Sequence, residues 1–430
     1  MTSTTSTASG LTDARAQELR ADFPALMQDL GDRTLAYLDF GATAQRSRRV
    51  LDAEREFLEH DNAAVHRGAH ELSVRATDAF ETARETVATF LGAGPEEIAW
   101  QAGATDALNS VALGMQLASQ TDASSALALG PGDEILITEA EHHANLVPWQ
   151  QLAHATGATL RWIPVREDGT WTVDDAAAAL NERTKVFAFA HVSNVTGWIA
   201  DVPALVELAG RAGAVTVLDA CQSAPHLPLD LGELGVDFAV CSSHKLGGPT
   251  GVGVLYGRAE RLAQLPAART GGGMIETVTM EATTFQEPPM RFEAGSPPVS
   301  QAVGFAAACE ELDTVGRDAI AAHSRRLGER LVSELGVLDG VRVVGPDAGV
   351  PRSGLAAFVV DGVHAHDVAQ FLDAEGLAVR AGHHCAQPLH RRFGIAASTR
   401  ASTFFTTSGD EIDRLVDALG RVRGWFAGRA

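Results

Sequence analysis

From about Leu35 onward the chain alternates short apolar runs with stretches of helical spacing. The runs at 134–138, 160–165, 186–191, 214–219 and 238–241 are β-branched or aromatic-rich and bounded by Gly, Pro or polar residues. Such runs read as buried strands. Between them lie segments such as 202–213, with Leu205, Leu208 and Ala209 on one helical face. Strands alternating with helices predict βαβ units and a mainly parallel sheet. After about Pro298 the texture changes. Long helical patterns cover 301–335, short strands follow at 341–344 and 355–360, and helices at 365–375 and 410–426. The expected organisation is a large α/β domain over 35–298 and a smaller α/β domain from 16–34 and 299–430. The Ser/Ala-rich stretch 118–129 reads as a surface loop, and no internal repeat is visible.

Composition narrows the class. The 430 residues are 45% apolar, enough for a sizeable core, yet no run approaches the roughly 20 apolar residues needed to span a membrane. Residues 1–10 are Ser/Thr-rich and lack the basic and apolar regions of a secretion signal. A disordered tail over 1–15 of a cytoplasmic protein is the expectation. A net charge of −21 argues against a non-specific nucleic-acid binder. The four cysteines, Cys221, Cys241, Cys309 and Cys385, form no zinc-like spacing and no disulfide scaffold.

Lysine is nearly absent. Of 34 basic residues only Lys185 and Lys245 are lysine. A lysine amine can lose its proton and attack a carbonyl, which a guanidinium cannot do. Lys185 begins an apparent strand and reads as an exposed strand-edge charge. Lys245 follows a strand, in Ser242-Ser243-His244-Lys245.

Ligands of open α/β sheets bind beyond the carboxyl ends of the strands. The residues there are Asp219-Ala220-Cys221-Gln222, Ser242 to Lys245, Glu141-His142-His143-Ala144-Asn145 and His191-Val192-Ser193-Asn194. Pyridoxal phosphate (PLP) needs such a set: a lysine for a Schiff base, an acid for the pyridinium nitrogen, a flat group over the ring, and small donors for the phosphate. Gly103-Ala104-Thr105, ahead of a helical pattern at 106–117, suits the phosphate.

Further segments carry a resemblance. They read Tyr37-Leu38-Asp39 with Gln45, Val65-His66-Arg67-Gly68, Ser243-His244-Lys245-Leu246-Gly247-Gly248-Pro249-Thr250-Gly251, Arg291-Phe292-Glu293-Ala294-Gly295, Arg380-Ala381-Gly382-His383-His384-Cys385-Ala386 and Arg400-Ala401-Ser402. Over about 38–419 the chain resembles the class V aminotransferase superfamily (PLP fold type I), and within it the SUF-type cysteine desulfurases. The Gly-His-His-Cys-Ala run separates that branch from desulfurases whose active cysteine lies in a Ser-rich loop.

The resemblance implies roles. Lys245 would hold PLP and move protons at the substrate α-carbon. Asp219 would pair with the pyridinium nitrogen, His143 would stack on the ring and assist proton transfer, and Gln222 would donate to the phenolic oxygen. Thr105, Ser242 and His244 would bind phosphate, with the Ala104 backbone N–H beside them where some members carry Thr. The family's phosphate site is completed by a partner-subunit Thr. Ser296 stands at that position, which implies a homodimer. Asn194 and Arg400 would hold the substrate carboxylate, and Arg380 would line the pocket near the thiol of Cys385. The implied reaction converts L-cysteine to L-alanine with a persulfide on Cys385, its sulfur collected by an acceptor protein for iron–sulfur assembly. His383, His384 and Arg380 would favour the Cys385 thiolate if close in space. His364 and His366 read as a cap or loop feature rather than a metal site. His366 also matches a position that meets the zinc of a small zinc acceptor protein. Selenocysteine lyase, racemase and aminotransferase chemistry use the same Lys245 and Asp219 and stay open at this point, as does a non-catalytic sulfur carrier.

Overall fold

The computed structural model describes residues 10–427 apart from 29 and 32. Residues 1–9 of the expected tail lie outside the described residues. The rest of that span does not: Leu11 is buried, and Thr12 caps a helix, Asp13–Arg20, by accepting from the Arg15 N–H. A short strand β1 (Ala36–Tyr37) follows.

The main sheet holds β2 (Ile98–Gln101), β3 (Glu134–Thr138), β4 (Thr159–Ile163), β5 (Thr184–Ala190), β6 (Val215–Asp219), β7 (Phe238–Ser242) and β8 (Gly253–Gly257). Their order is β2-β8-β7-β6-β5-β3-β4. The pairings from β7 to β4 are parallel, and β8 is antiparallel to both its neighbours. The sheet is therefore mixed. Strands β3, β6, β7 and β8 are buried at every position, because helices cover both faces and remove the usual alternation. On one face Leu108, Val111, Trp149 and Leu152 pack from the helices Ala104–Thr121 and Val147–Thr156. On the other, Ala83, Val87, Leu205 and Phe305 pack from Glu71–Leu91, Val202–Ala212 and Val299–Val315.

Lys185 lies in β5, an internal strand, and is half-buried, so the strand-edge expectation is corrected. The 118–129 stretch is not simply a surface loop. Its start is the last turn of Ala104–Thr121, and Leu127 and Leu129 bury into the sheet-facing core. Its Ser/Ala composition hides those two anchors.

A hairpin of β9 (Ile275–Val278) and β10 (Thr283–Phe285) projects beyond the sheet. The second sheet comprises β11 (Val341–Val344), β12 (Leu355–Val360), β14 (Arg380–Gly382) and β15 (Ser398–Ser402), in the antiparallel order β11-β12-β15-β14. Strand β13 (Leu377–Ala378) pairs with β1. Residues 36–37 thus join the C-terminal unit. The helix Val299–Val315 packs on the N-terminal helices Arg48–His60 and Glu71–Leu91. The chain turns at Gly316, with φ 98°, before the helix Arg317–Gly336. Among the described residues no helix is long and apolar enough to cross a membrane.

Candidate active site

The parallel strands deliver their C-terminal residues to one edge of the main sheet. Asp219 ends β6, Ser242 ends β7, and a short turn carries His244 and Lys245. The segments after β3 and β5 bring His142 and Asn194. The second sheet contributes Arg380 from β14, Arg400 from β15, and His384 and Cys385 from the loop between them. These side chains line one cavity of about 310 Å³, together with Gly41, Thr43, Ala104, Thr105, Cys221 and Gln222.

At one end is the start of the helix Ala104–Thr121, whose first residues have no side-chain cap. The Ala104 N–H donates to Ser242 Oγ at 2.9 Å, so the Ser242 hydroxyl keeps its own proton to give. Uncapped N–H groups and a helix N-terminus favour an anion. At the opposite side Arg400 is buried. Its Nη1 donates to the Asn194 carbonyl at 2.9 Å, while Nε and Nη2 have no hydrogen-bond partner, Nη2 making only a 3.6 Å ion pair with Asp39. Burial pulls this guanidinium down to about 10, and Asp39 opposes that shift. Buried donors without acceptors are costly, and a carboxylate would satisfy both. Asp39 also accepts three bonds from Arg380, at 2.9–3.2 Å. Arg380 is therefore charge-paired with Asp39, and it also lies within electrostatic reach of Cys385.

The imidazoles are held neutral. Burial, then the positive charge of Lys245, pushes His142 and His244 each down to about 4. His384 falls to about 2, through burial and then Arg400. The thiols divide sharply. Burial pushes Cys241 up to about 12 and holds Cys221 and Cys309 far above the usual thiol range. Cys385 alone is exposed. It sits in an unusual turn: His384 and Cys385 have φ of 50° and 56°. Two successive non-glycine residues in the left-handed region cost of order 1–3 kcal/mol each and persist only where neighbours fix them. Here the Ala386 N–H donates to the His383 carbonyl at 2.8 Å, the His143 N–H to the Cys385 carbonyl at 2.7 Å, and Asn194 Nδ2 to the His384 carbonyl at 2.6 Å.

The structure brings Lys245, Asp219, Gln222, Thr105, Ala104, Ser242, His244, Asn194, Arg380, Arg400 and Cys385 to this cavity. Of the residues expected in this cavity, His143 lies elsewhere. His142, not His143, faces the cavity. Its Nδ1 accepts from the Ala144 N–H at 3.0 Å, which turns the ring inward and leaves the proton on Nε2. His143 instead accepts at Nε2 from the Gln387 N–H at 3.1 Å, on the flank of the Cys385 loop. Ser296 lines a separate cavity of about 950 Å³ with Arg67, Gly272 and Gln286. Asn194 uses one amide proton on the loop, and Gln222 uses one on the Gly41 carbonyl, at 2.7 Å. Asp39 is a residue to which sequence reasoning gave no role, although it stood in a quoted motif. The clustering of histidines shows no metal site either: among the described residues no group of His, Cys, Asp and Glu could hold a metal ion, and His364 Nδ1 caps the helix Ala365–Ala374 at the His366 N–H.

The donor set fits PLP. It offers a lysine, a buried carboxylate, a flat imidazole, and an uncapped helix start beside a free hydroxyl, in one cavity.

Comparison with known proteins supports the same scaffold. The family model described as aminotransferase class-V matches residues 36–415. The chain is 52% identical over 419 residues to a protein of Mycobacterium leprae named probable cysteine desulfurase 2, covering 97% of this chain and 98% of the relative. Among solved structures it is similar to a cysteine desulfurase of Thermococcus onnurineus NA1, with a TM-score of 0.88 and 36% identity over 95% of this chain and 98% of the other. It is also similar to the cysteine desulfurase CsdA of Escherichia coli, with a TM-score of 0.84 and 35% identity over 95% and 98% of the two chains. With its PLP-suited cavity and a family match spanning most of its length, the chain belongs to the aminotransferase class-V family.

Proposed function

We propose that this chain is a PLP-dependent cysteine desulfurase that takes sulfur from L-cysteine onto Cys385 and releases L-alanine. The observation that carries the reading is the position of Cys385: the exposed thiol among four, set by a strained turn at a cavity that also holds Lys245 and Asp219. The relatives named above as cysteine desulfurases share this chain over nearly its full length.

PLP, when bound, supplies an electron sink for the bond changes at the substrate α-carbon. Lys245 holds the group between turnovers and carries the α-proton. Asp219 keeps the ring nitrogen protonated by its negative charge. His142, neutral and proton-bearing at Nε2, would lie over the ring, the role first expected of His143. Ser242, Thr105 and His244 would hold the phosphate, with the Ala104 N–H fixing the Ser242 hydroxyl that donates to it. Arg400 would clamp the substrate carboxylate through Nε and Nη2, which make no hydrogen bond here, a planar pairing that fixes orientation as well as charge. The Cys385 thiolate attacks the substrate sulfur. The new S–S bond forms as the substrate C–S bond breaks, and that bond's electron pair goes to Cβ, which then takes a proton. Mass spectrometry after incubation with L-cysteine tests the step. One added sulfur on the Cys385 peptide is expected, and its absence from active protein would overturn it.

The finer reading is a SUF-type enzyme acting in the cytoplasm as a homodimer and feeding iron–sulfur assembly. Ser296, remote from its own Lys245 cavity, would serve the phosphate of the second subunit. The acceptor would be a small zinc protein approaching His366, which lines a surface groove with Asp39 and Arg380. Arg380 also lines the active-site cavity, so this groove adjoins the sulfur. Unchanged acceptor-stimulated turnover in His366→Ala would remove that docking role.

A further inference from the structure

Behind the Cys385 turn lies a chain of three buried side chains from separate stretches of the small domain. His390, from the helix Gln387–Arg392, places Nδ1 2.9 Å from the Ala386 carbonyl and Nε2 2.9 Å from Ser398 Oγ. Ser398 opens β15, and its Oγ is also 2.9 Å from His384 Nε2. All three residues are more than nine-tenths buried, and His384 lines the active-site cavity.

The proton positions follow from donor and acceptor counting. A carbonyl only accepts, so His390 Nδ1 carries the proton. Burial holds His390 below its ordinary value, hence neutral, and its Nε2 is a bare acceptor. The Ser398 hydroxyl gives its single proton to that nitrogen. Ser398 Oγ can then only accept from His384, whose proton is fixed on Nε2. Neutral His384 is left with a bare Nδ1, and this nitrogen is buried with no partner. A buried acceptor without a partner is costly unless a ligand supplies a donor, and His384 lines the cavity in which a substrate would sit.

The geometry points to His384 as a positioning residue whose Nδ1, locked as an acceptor by His390 and Ser398, accepts a hydrogen bond from the sulfhydryl of the amino-acid substrate. The inference rests on the desulfurase reading. Bound L-cysteine has two kinds of donor, its amine and its thiol. The amine would be directed toward the cofactor that Lys245 holds, and the carboxylate needs donors, which Arg400 provides. The S–H remains, and the attack requires it within reach of Cys385, which lines the same cavity as His384. Holding it directs the sulfur toward the attacking thiolate.

Two measurements test this on the holoenzyme. Nitrogen-15 NMR of histidine-labelled protein at neutral pH should show His384 protonated at Nε2 and His390 at Nδ1. The opposite tautomers would overturn the relay. In a Cys385→Ala background, where sulfur is not taken up, spectral titration compares L-cysteine with L-alanine, which has no S–H. Ser398→Ala frees the His384 tautomer, and one lost hydrogen bond weakens L-cysteine binding about tenfold with L-alanine binding unchanged. Equal weakening of both amino acids, or no weakening of either, would overturn the proposal. These readouts are independent of turnover. Absence of alanine production by the wild type would sink the desulfurase reading, while the tautomers and the two affinities would still decide the role of His384.

Discussion

Gly253 gives a direct test of how the sheet builds the phosphate end of the site. It opens β8 beside the Gly103 turn. A Cβ at Gly253 would lie 2.6 Å from the Cys241 carbonyl oxygen and 2.7 Å from Gly103 Cα, where ordinary contact begins at 3.4 Å. The deficit is therefore about 0.7–0.8 Å against backbone on both sides. No side-chain rotation relieves it. Strand β8 is hydrogen-bonded to β2 and β7, so much of the displacement falls on Gly103 and the helix start behind it. Overpacking of this kind costs about 1–3 kcal/mol of stability. A shift near 1 Å in a positioning group can cost about a hundredfold in function. Gly253→Ala is expected to weaken PLP binding by about tenfold to a hundredfold, read by titrating apoprotein with PLP and following absorbance. Thermal unfolding of the apoprotein reads the stability loss separately. Gly210→Ala is the control: nothing lies within 4 Å of its Cβ, and it sits within Val202–Ala212. It should gain up to about 1 kcal/mol and leave PLP affinity alone. Wild-type PLP affinity in Gly253→Ala would refute the phosphate seat at Gly103–Thr105. Should that variant not fold, Ser242→Ala makes the same test from the hydroxyl side.

Arg400→Lys keeps the charge but loses the planar fork, so KM for L-cysteine should rise about tenfold or more with PLP content unchanged in absorbance. Alkylation of native protein at neutral pH should modify Cys385, with Cys221, Cys241 and Cys309 reacting only after unfolding, as peptide mass spectrometry would report. His142→Ala should lower turnover about a hundredfold or more, the usual scale for a positioned acid–base group, and His143→Ala should lower it much less. The pH dependence has a definite sign. His142 binds its proton less readily folded, at about 4, than unfolded, near 6.5. The unfolded state therefore binds more protons between those values, and stability falls as pH drops through that window. His142→Asn should flatten that acid loss in melting curves, and an unchanged curve would show that the ring is not buried as described.

The fold was legible where a short apolar run stood between polar or turn-forming residues. Strand β3 and strands β11 and β12 begin and end where the apolar runs do. Strands β2 and β8 were missed. One has four residues, and the other is five residues bounded by glycine at both ends. Their antiparallel placement comes from tertiary pairing that no local pattern encodes. The site was legible as a set of strand ends because parallel strands put their C-termini on one edge. The scarcity of lysine isolated Lys245. The choice between His142 and His143 was not legible. Adjacent residues in a turn point in different directions, and here the hydrogen bond from the Ala144 N–H decides which ring turns inward. Nor could the sequence show that Asp39 pairs with both Arg380 and Arg400, or that Arg400 Nε is left without a partner.

The most direct measurement is alanine released from L-cysteine by wild type and by Cys385→Ala, each with and without a thiol reductant. The account predicts alanine from the wild type alone, increased by reductant, with PLP bound equally by both proteins. Equal alanine from Cys385→Ala would contradict it, because sulfur would then leave the substrate without passing through the one exposed thiol.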